Sequence, residues 1–421
     1  MGKHTQTQAK TQGYRTYSAY LSDRVYQFLR SLLVELDANL DRRLVETFLG
    51  LVLVLIMHRH RNQGLLLSEL GGYLLPPAHA PAGTKRISNL LRSPNWGSEM
   101  VEQFLWQQAD QRVAELWDAR ETALAIWDES ILEKPESLHL EGLCAVRSTK
   151  AVRLKRIKPG YFNPPGGRPI FVPGYNWLQV LVCGMQGPPS LAHLRFWTTR
   201  GERQSSKREE EGEILAEVSA RWDSRVLHVW DRGFAGSPWL TLAYVHALRF
   251  VLRWPKQYRL TDEQGQQRKA WEITRGKRSL DQRLIWDARR RCQRKTGLVF
   301  APVFDNTFQQ ALTLVVARPG KGREPWYLLT NEPVRSVEDA WRIVLAYARR
   351  WQVEMSIRLD KCELAFESPR VRSWERFFKL LWIGTLAHAF LISLLTPDPL
   401  NICSWLLRNW CHRTGNGARM S

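Results

Sequence analysis

The chain has few cysteines, and none of them lies close to another in the sequence. Six cysteines are spread over 421 residues, at Cys144, Cys183, Cys292, Cys362, Cys403 and Cys411, and no two form a Cys-x-x-Cys pair. Closely spaced cysteines are typical of disulfide frameworks and of structural zinc sites. The pattern therefore argues against both and predicts a protein that folds in a reducing compartment.

Apolar runs of membrane-spanning length without a charged or titratable residue, and an apolar N-terminus, are also lacking. Residues 1–15 are polar and contain no signal-peptide core. The run from Phe48 to Met57 is too short to cross a membrane, and the longer run from Phe377 to Leu395 contains Lys379 and His388. A buried helix that packs on a sheet is therefore the better interpretation of the second run, and no membrane partner is expected.

Acidic residues are scarce relative to basic ones. The chain has 41 Asp and Glu against 61 Lys and Arg, which gives a formal net charge of +20 and a pI near 10.0. Hydrophobic residues make up 44% of the chain, so the charge belongs to a protein that can form a normal core. A charge of this size predicts a polyanionic partner, with nucleic acid first and an acidic membrane surface second.

Changes in composition divide the chain into predicted regions. These are a helical region at 1–115, the first part of an α/β core at 116–254, a β-rich insertion at 255–325, the second part of the core at 326–396 and a short basic tail at 397–421. In the helical region, two short helices around a turn rich in Pro and Gly carry Lys85, Arg86 and Arg92. They predict either a helix-turn-helix-like DNA reader or a helical cap with a solvated basic face.

The core region 116–254 alternates between strand-like and helix-like segments. Three strand-like runs end at Trp127, Val182 and Thr198, and a charged, helix-forming segment at 206–222 precedes a fourth strand-like run. This order opens a ribonuclease H-like domain. The predicted fold class is therefore α/β, with a ribonuclease H-like catalytic domain interrupted by the β-rich insertion and preceded by an all-helical DNA-binding region.

Three carboxylates stand where a phosphodiester-cleaving site would need them. Asp128 follows the apolar run 123–127, Asp231 follows the apolar run 226–230, and Glu354 lies on a predicted helix. Two divalent cations held by carboxylates can activate a water and stabilise the leaving oxygen of a phosphodiester, and Mg²⁺ prefers oxygen ligands. The pattern predicts a two-metal site, although each acid taken alone is also compatible with a solvated carboxylate.

A stripe of polar side chains surrounds the third acid. Tyr347, Arg350, Glu354 and Lys361 fall within roughly 60° of arc on one face of an ideal helix. A phenol, a guanidinium and an ammonium beside a carboxylate suit a phosphate that is held while a metal acts on it. The alternative is a solvated helix face crossed by salt bridges.

Two tryptophans lie beside this stripe. Trp351 falls on nearly the same helix face, and Trp326 begins the strand-like run that closes the insertion. Aromatic side chains next to a phosphate-binding stripe can stack on an extruded base. Core packing is the alternative, because most of the 19 tryptophans in the chain must be buried.

These features together resemble the DDE transposases of the bacterial IS4 type, the group that includes the Tn5 transposase. The resemblance depends on Asp128 after a strand, on Asp231-Arg-Gly-Phe, on the Tyr-x2-Arg-x3-Glu-x6-Lys spacing of the stripe and on the run Trp326–Pro333. It covers roughly residues 115–396, and the N-terminal region is similar only in its helical character.

The resemblance implies cut-and-paste transposition of an insertion sequence. Water would nick the 3′ end of the element, the freed 3′-hydroxyl would form a hairpin, and the reopened end would join target DNA. Two Mg²⁺ or Mn²⁺ ions per active site would be bound by Asp128, Asp231 and Glu354. The implied DNA contacts are phosphate binding by Tyr347, Arg350 and Lys361, and base stacking by Trp326 with Trp351 beside it.

The resemblance also implies partners and a location. The partners would be double-stranded DNA, namely the terminal inverted repeats and the target, and a second copy of the chain in a synaptic homodimer. The protein would act in the bacterial cytoplasm at the nucleoid. Few residues follow Lys361, so a reduced C-terminal dimerisation region is expected. Two alternatives remain: a non-catalytic, sequence-specific DNA-binding protein such as an inactivated or domesticated transposase, and a structure-specific nuclease that cleaves without joining ends.

Overall fold

The fold is that of a computed structural model, which describes residues 2–58, 64–137, 139–148, 170–287, 292–320 and 322–396. The predicted basic tail at 397–421 lies outside these ranges. The N-terminal part is helical, as the sequence predicts. Its helices are α1 (Gly2–Asn39), α2 (Arg42–His58), α3 (Leu67–Leu74), α4 (Ala80–Arg92) and α5 (Ser98–Asp118).

The two short helices predicted around the Pro- and Gly-containing turn are α3 and α4. They pack with their backbones in contact, because a Cβ added at Gly83 would lie 2.1 Å from the carbonyl oxygen of Gly71. A Cβ at Gly71 would in turn lie 2.4 Å from the backbone nitrogen of Thr84. The crossing of α3 and α4 therefore requires glycine on both helices.

Within the described ranges, twelve strands form one mixed sheet, in the order β2-β3-β1-β5-β6-β12-β11-β10-β7-β8, with β4 also paired to β3 and β9 to β10. The strands are β1 (Ala123–Glu133), β2 (Cys144–Arg147), β3 (Phe171–Cys183), β4 (Ser190–Trp197), β5 (Val226–Trp230), β6 (Arg249–Arg253), β7 (Arg259–Thr261), β8 (Gln267–Lys269), β9 (Asp281–Asp287), β10 (Cys292–Phe304), β11 (Ala311–Arg318) and β12 (Trp326–Thr330). The pairs β1–β5 and β5–β6 are parallel. Strands β7 to β11, from the predicted insertion, continue the same sheet.

Helices cover both faces of the sheet. Those of the second half are α6 (Lys207–Trp222), α7 (Ser237–Val245), α8 (Ala270–Ile273), α9 (Val337–Ala348), α10 (Trp351–Arg358) and α11 (Trp374–Ser393). Alternate residues of β1 enter different cores: Leu124 and Ile126 join the one with α9 and α11, whereas Ala125 and Trp127 join the one with α6 and α7. Burial on both faces explains why this run of the sequence is continuously apolar.

Asp128 does not lie at the end of its strand, which corrects the expectation from the sequence. Strand β1 continues to Glu133, because it pairs with antiparallel β3 from Leu124 opposite Cys183 to Glu133 opposite Gly174. The parallel partner β5 is paired only as far as Ile126. Asp128 therefore lies just beyond the end of the parallel pairing, in the middle of a long strand.

The sequence predicted that the polar stripe lies on one continuous helix, and this prediction was wrong. Helix α9 begins with the predicted capping box of Ser336 and Asp339 and ends at Ala348, and α10 begins at Trp351. Between them the backbone tightens, because the N–H of Arg350 donates to the carbonyl of Tyr347 at 3.0 Å, three residues back. Lys361 lies beyond α10, in a π-helical turn at Leu359–Glu363.

The long apolar helix α11 is an internal helix of this fold. It is long and apolar enough to cross a membrane by length and composition, but most of it is buried inside the protein. It packs against α2, α4, α5 and β4. Its buried Lys379 donates to the backbone oxygen of Ser93 at 2.7 Å and forms an ion pair with Glu375 at 2.5 Å, which compensates the charge that the sequence places in this apolar run.

Candidate active site

The parallel strands β1 and β5 bring the first two acids together. Ile126 pairs with Val229 in this ladder, so continuing the register by two residues aligns Asp128 with Asp231. Side chains two residues apart on a strand lie on the same face. Because Ile126 and Val229 belong to the core beneath α9, both carboxylates lie on that side of the sheet.

Glu354 approaches from the helix side, and Arg350 lies between it and the two strand carboxylates. Helix α10 packs against β1 and β3. The guanidinium Nη1 of Arg350 lies 3.6 Å from Asp128 Oδ2 and 3.9 Å from Asp231 Oδ2, and its Nη2 donates to Glu354. One half-buried cation therefore contacts all three predicted metal ligands.

The two aspartates differ in their protonation. Burial, opposed by Arg350 and reinforced by the neighbouring carboxylates of Asp231 and Glu354, raises the pKa of Asp128 to about 7. Burial also acts to raise the pKa of Asp231, but Arg350, a backbone hydrogen bond, Arg253 and Tyr347 together hold that pKa below its ordinary value. The site thus keeps Asp231 ionised, whereas Asp128 accepts a proton near neutral pH.

Tyr347 is part of the carboxylate site through its hydroxyl group. The hydroxyl donates to Asp231 Oδ1 at 3.0 Å, and the side chain is only 3% exposed. Burial, followed by the charge of Asp231, raises the pKa of Tyr347 to about 12, so the phenol stays a hydrogen-bond donor. The Arg350 guanidinium lies 5.8 Å from the centre of the Tyr347 ring, within the range of a cation–π contact.

Among the remaining predicted DNA-binding residues, Trp326 packs against this centre. The ring of Trp326 packs edge-on against Tyr347, with 5.1 Å between centroids and 68° between planes. Trp351 is half-buried at the first position of α10, and Lys361 is half-buried in the π-helical turn. Trp326 therefore contacts the site directly, whereas Lys361 lies about two helical turns beyond Glu354.

Arg253 is a site residue that the sequence reasoning missed. It ends β6, and its Nη1 lies 3.9 Å from Asp231 Oδ1. The register of β5 with β6 pairs Trp230 with Leu252, which places Asp231 beside Arg253. The signal was the run Phe250–Trp254, a second parallel strand interrupted by a basic residue at the level of the acid.

The donor set fits a hard divalent cation. Within the described ranges, no three His, Cys, Asp or Glu side chains are arranged as a ready-formed metal site, because the three acids gather around Arg350. All three supply carboxylate oxygens, the ligands that Mg²⁺ and Mn²⁺ prefer. Their side chains are 22% to 35% exposed, so the oxygens are accessible from solvent.

Comparisons with known proteins identify no family. No family model matches the chain, and no curated protein matches it. Among solved structures, the chain is similar to the piggyBac transposase in its synaptic complex with hairpin DNA, at 16% sequence identity and a TM-score of 0.43, over 88% of this chain and 67% of that one. This similarity is too low to assign the chain to a family or to support a function.

Proposed function

We propose that the chain is a DNA transposase that moves an insertion sequence by metal-dependent cleavage and strand transfer. The observation that carries the proposal is the convergence of Asp128, Asp231 and Glu354 on one guanidinium. The two aspartates come from adjacent parallel strands and the glutamate from a helix above them. The spacing of Tyr347, Arg350, Glu354 and Lys361, which resembles the IS4-type transposases, supports the same assignment.

The three carboxylates would hold two Mg²⁺ or Mn²⁺ ions. When bound, these cations would supply the charge that activates a water or a 3′-hydroxyl and stabilises the leaving oxygen. Asp128 would be a firmly held ligand, because β1 pairs with β3 on one side and β5 on the other and is held in the sheet. Tyr347 would orient Asp231 through its hydroxyl donor, and this bond would persist at neutral pH because the phenol does not ionise there.

The basic stripe would hold the DNA at the site. Arg350 would exchange its contacts with the carboxylates for contacts with a phosphate once the acids bind metal. Lys361 would bind a second phosphate, and Trp326 would stack on a flipped base with Trp351 beside it. Trp326 is half-buried against Tyr347, so one part of its ring remains available for stacking.

A second surface would recognise the ends of the element. Helix α4 exposes Lys85, Asn89 and Arg92, at intervals of three and four residues that place them on one helix face. Lysine and arginine bind phosphates and guanine, and asparagine pairs with adenine. The proposed partners are therefore the terminal inverted repeats and target DNA, bound by a homodimer in the bacterial cytoplasm.

The decisive experiment uses a labelled duplex that carries the inverted repeats flanking the gene. The protein is incubated with this DNA and Mg²⁺, and the products are separated on a denaturing gel. We expect nicked and hairpin-ended products. Glu354→Gln should reduce them by at least about 100-fold, because even residues that only support metal ligands cost 10- to 100-fold. Glu338→Gln, an exposed acid on α9, is the matched control and should cut normally.

Other outcomes distinguish the alternatives. Cleavage without hairpins or joined ends would favour a structure-specific nuclease. A shifted but uncut duplex, with Mg²⁺ or Mn²⁺, would favour a non-catalytic, sequence-specific DNA-binding protein. Salt would weaken binding in every case, because neutralising phosphates releases counterions, so the salt dependence does not separate these functions.

A further inference from the structure

Behind Glu354, helix α10 and its π-helical turn carry polar side chains that face the interior. Asp360 is fully buried and Ser356 is 5% exposed. Asp360 Oδ1 lies 2.7 Å from Nδ1 of His388 on α11, and Ser356 Oγ lies 3.4 Å from Nε2 of the same ring. On the other side, Gln179 of β3 donates to Asp360 Oδ2 at 3.2 Å. These four side chains are called the Asp360 network below.

The order Ser356, His388, Asp360 is that of a hydrolytic triad, but its surroundings exclude that role. His388 is 1% exposed, and both of its partners are buried, so a substrate has no access to the serine. A nucleophile must be reachable by the bond that it attacks. The Asp360 network therefore has a structural role rather than a role in attacking a substrate.

Stability alone does not account for these residues. A buried polar or ionic pair is often no better for stability than an apolar cluster of the same shape, because burial removes the hydration of both groups. The best-attested use of such pairs is to select one register among several packings. The apolar core next to the Asp360 network includes Phe366, whose N–H donates to the carbonyl oxygen of Asp360 at 3.0 Å.

The Asp360 network joins the elements that carry the candidate catalytic acids. Gln179 stands directly opposite Asp128 in the pairing of β1 with β3. Ser356 follows Glu354 on α10, and Asp360 lies in the π-helical turn that also contains Lys361. The chain of contacts thus runs from the strand beside Asp128 to the helix that carries Glu354.

At the π-helical turn, the backbone departs from the hydrogen-bond register of an α-helix. Its widened geometry appears in the bond from Leu364 N–H to the carbonyl of Leu359 at 2.9 Å, five residues back. Such turns are rare and are frequent at functional sites. An α-helical continuation would rotate every later side chain, so a contact that holds Asp360 in place also decides where Lys361 lies.

We propose that Asp360, His388, Ser356 and Gln179 are positioning residues, which fix the register of α10 and so hold Glu354 opposite Asp128. The effect on cleavage rests on the proposed function, whereas the effect on the helix does not. None of the four touches the reacting atoms. Their action is through the backbone of α10 and its turn.

The test compares Asp360→Ala with the isosteric Asp360→Asn. The alanine variant loses the contacts to His388 and Gln179, whereas the asparagine variant can keep a hydrogen bond to each. Hydrogen exchange of the metal-free protein is measured for a peptide covering 351–364. We expect exchange there to accelerate at least tenfold in Asp360→Ala, with little change in Asp360→Asn and no change in β10 and β11.

The second readout is the Mg²⁺ requirement for nicking. We expect the Mg²⁺ concentration for half-maximal nicking to rise about 10- to 100-fold in Asp360→Ala and to be largely restored in Asp360→Asn. Thr385→Val is the matched control: Thr385 is also buried on α11, but its hydroxyl bonds to the carbonyl of Leu381. This variant should change neither readout.

The outcomes separate this proposal from the proposed function. Unchanged exchange at 351–364 in a folded Asp360→Ala would overturn the positioning role. If the wild-type chain does not nick DNA, the proposed function fails, and the exchange measurement still decides the positioning role. If Asp360→Ala unfolds the whole chain, Ser356→Ala decides: faster exchange limited to 351–364 supports the proposal, and unchanged exchange overturns it.

Discussion

Replacing Arg350 with glutamine removes the positive charge that contacts all three candidate metal ligands. Loss of one partner from a fully buried ion pair costs roughly 3–5 kcal/mol, because the remaining charge is uncompensated. The side chains of Asp128, Asp231 and Glu354 are 22%, 32% and 35% exposed, so water screens part of this cost. We expect the free energy of unfolding at pH 8 to fall by about 2 kcal/mol.

The response of this variant to Mg²⁺ is the more specific part of the prediction. In the wild-type protein, a cation bound by these carboxylates would have to displace the Arg350 guanidinium. In Arg350→Gln it meets no such competitor, so it should bind more tightly, and tenfold tighter binding adds about 1.4 kcal/mol of stabilisation at the same saturating concentration. Thermal unfolding followed across a Mg²⁺ titration should show a larger rise in Tm for the variant.

The neighbouring Arg349 supplies the control, because its guanidinium donates to the backbone oxygen of Gly187. Arg349→Gln should keep the wild-type response to Mg²⁺. The loss of stability in Arg350→Gln should shrink as the pH falls through 7, because Asp128, whose pKa burial raises to about 7, then loses its charge. A variant with wild-type stability and a wild-type Mg²⁺ response would refute the reasoning.

Three further predictions concern other parts of the molecule. Burial raises the pKa of Glu102 to about 7, above its unfolded value of 4.5, so the stability that this group contributes is present below pH 4.5 and lost as the pH rises through 7. The free energy of unfolding of Glu102→Gln should exceed that of the wild type by up to about 3 kcal/mol at pH 8 and should equal it below pH 4.5, as denaturant titrations would show. Tyr347→Phe removes a donor to Asp231 and should cost about 1 kcal/mol of stability and slow nicking, and unchanged values of both would contradict the assignment. Gly83→Ala places a Cβ 2.1 Å from the Gly71 oxygen and should lower Tm and weaken binding to the inverted repeats, whereas a normal Tm would show that α3 and α4 can separate freely.

Local patterns in the sequence were sufficient for much of the fold. The apolar run before Asp231 forms β5, and the predicted helix at 206–222 is α6. The capping box of Ser336 begins α9. Each of these depends on neighbours within a few residues, namely alternating or continuous burial and a side chain that bonds to the next turn.

Contacts between distant residues explain what the sequence did not show. The extension of β1 beyond Asp128 depends on its pairing with β3, which begins at Phe171. The break before Trp351 lets Arg350 turn toward the strands, and no proline or glycine in 347–354 marks it. The Asp360 network was equally hidden, because His388 appeared in the sequence only as a polar residue within an apolar run.

The site depends on strand register more than on any loop. Asp128, Asp231 and Arg253 each lie two residues beyond a residue that is buried in the same core, namely Ile126, Val229 and Val251, and these three are aligned across the parallel strands. Because side chains alternate between faces, a slip of one residue in β5 would turn Asp231 to the opposite side of the sheet, away from Arg350. The same slip would also move Val229 from one core to the other. The packing that stabilises the sheet therefore excludes the registers in which the carboxylates would not meet.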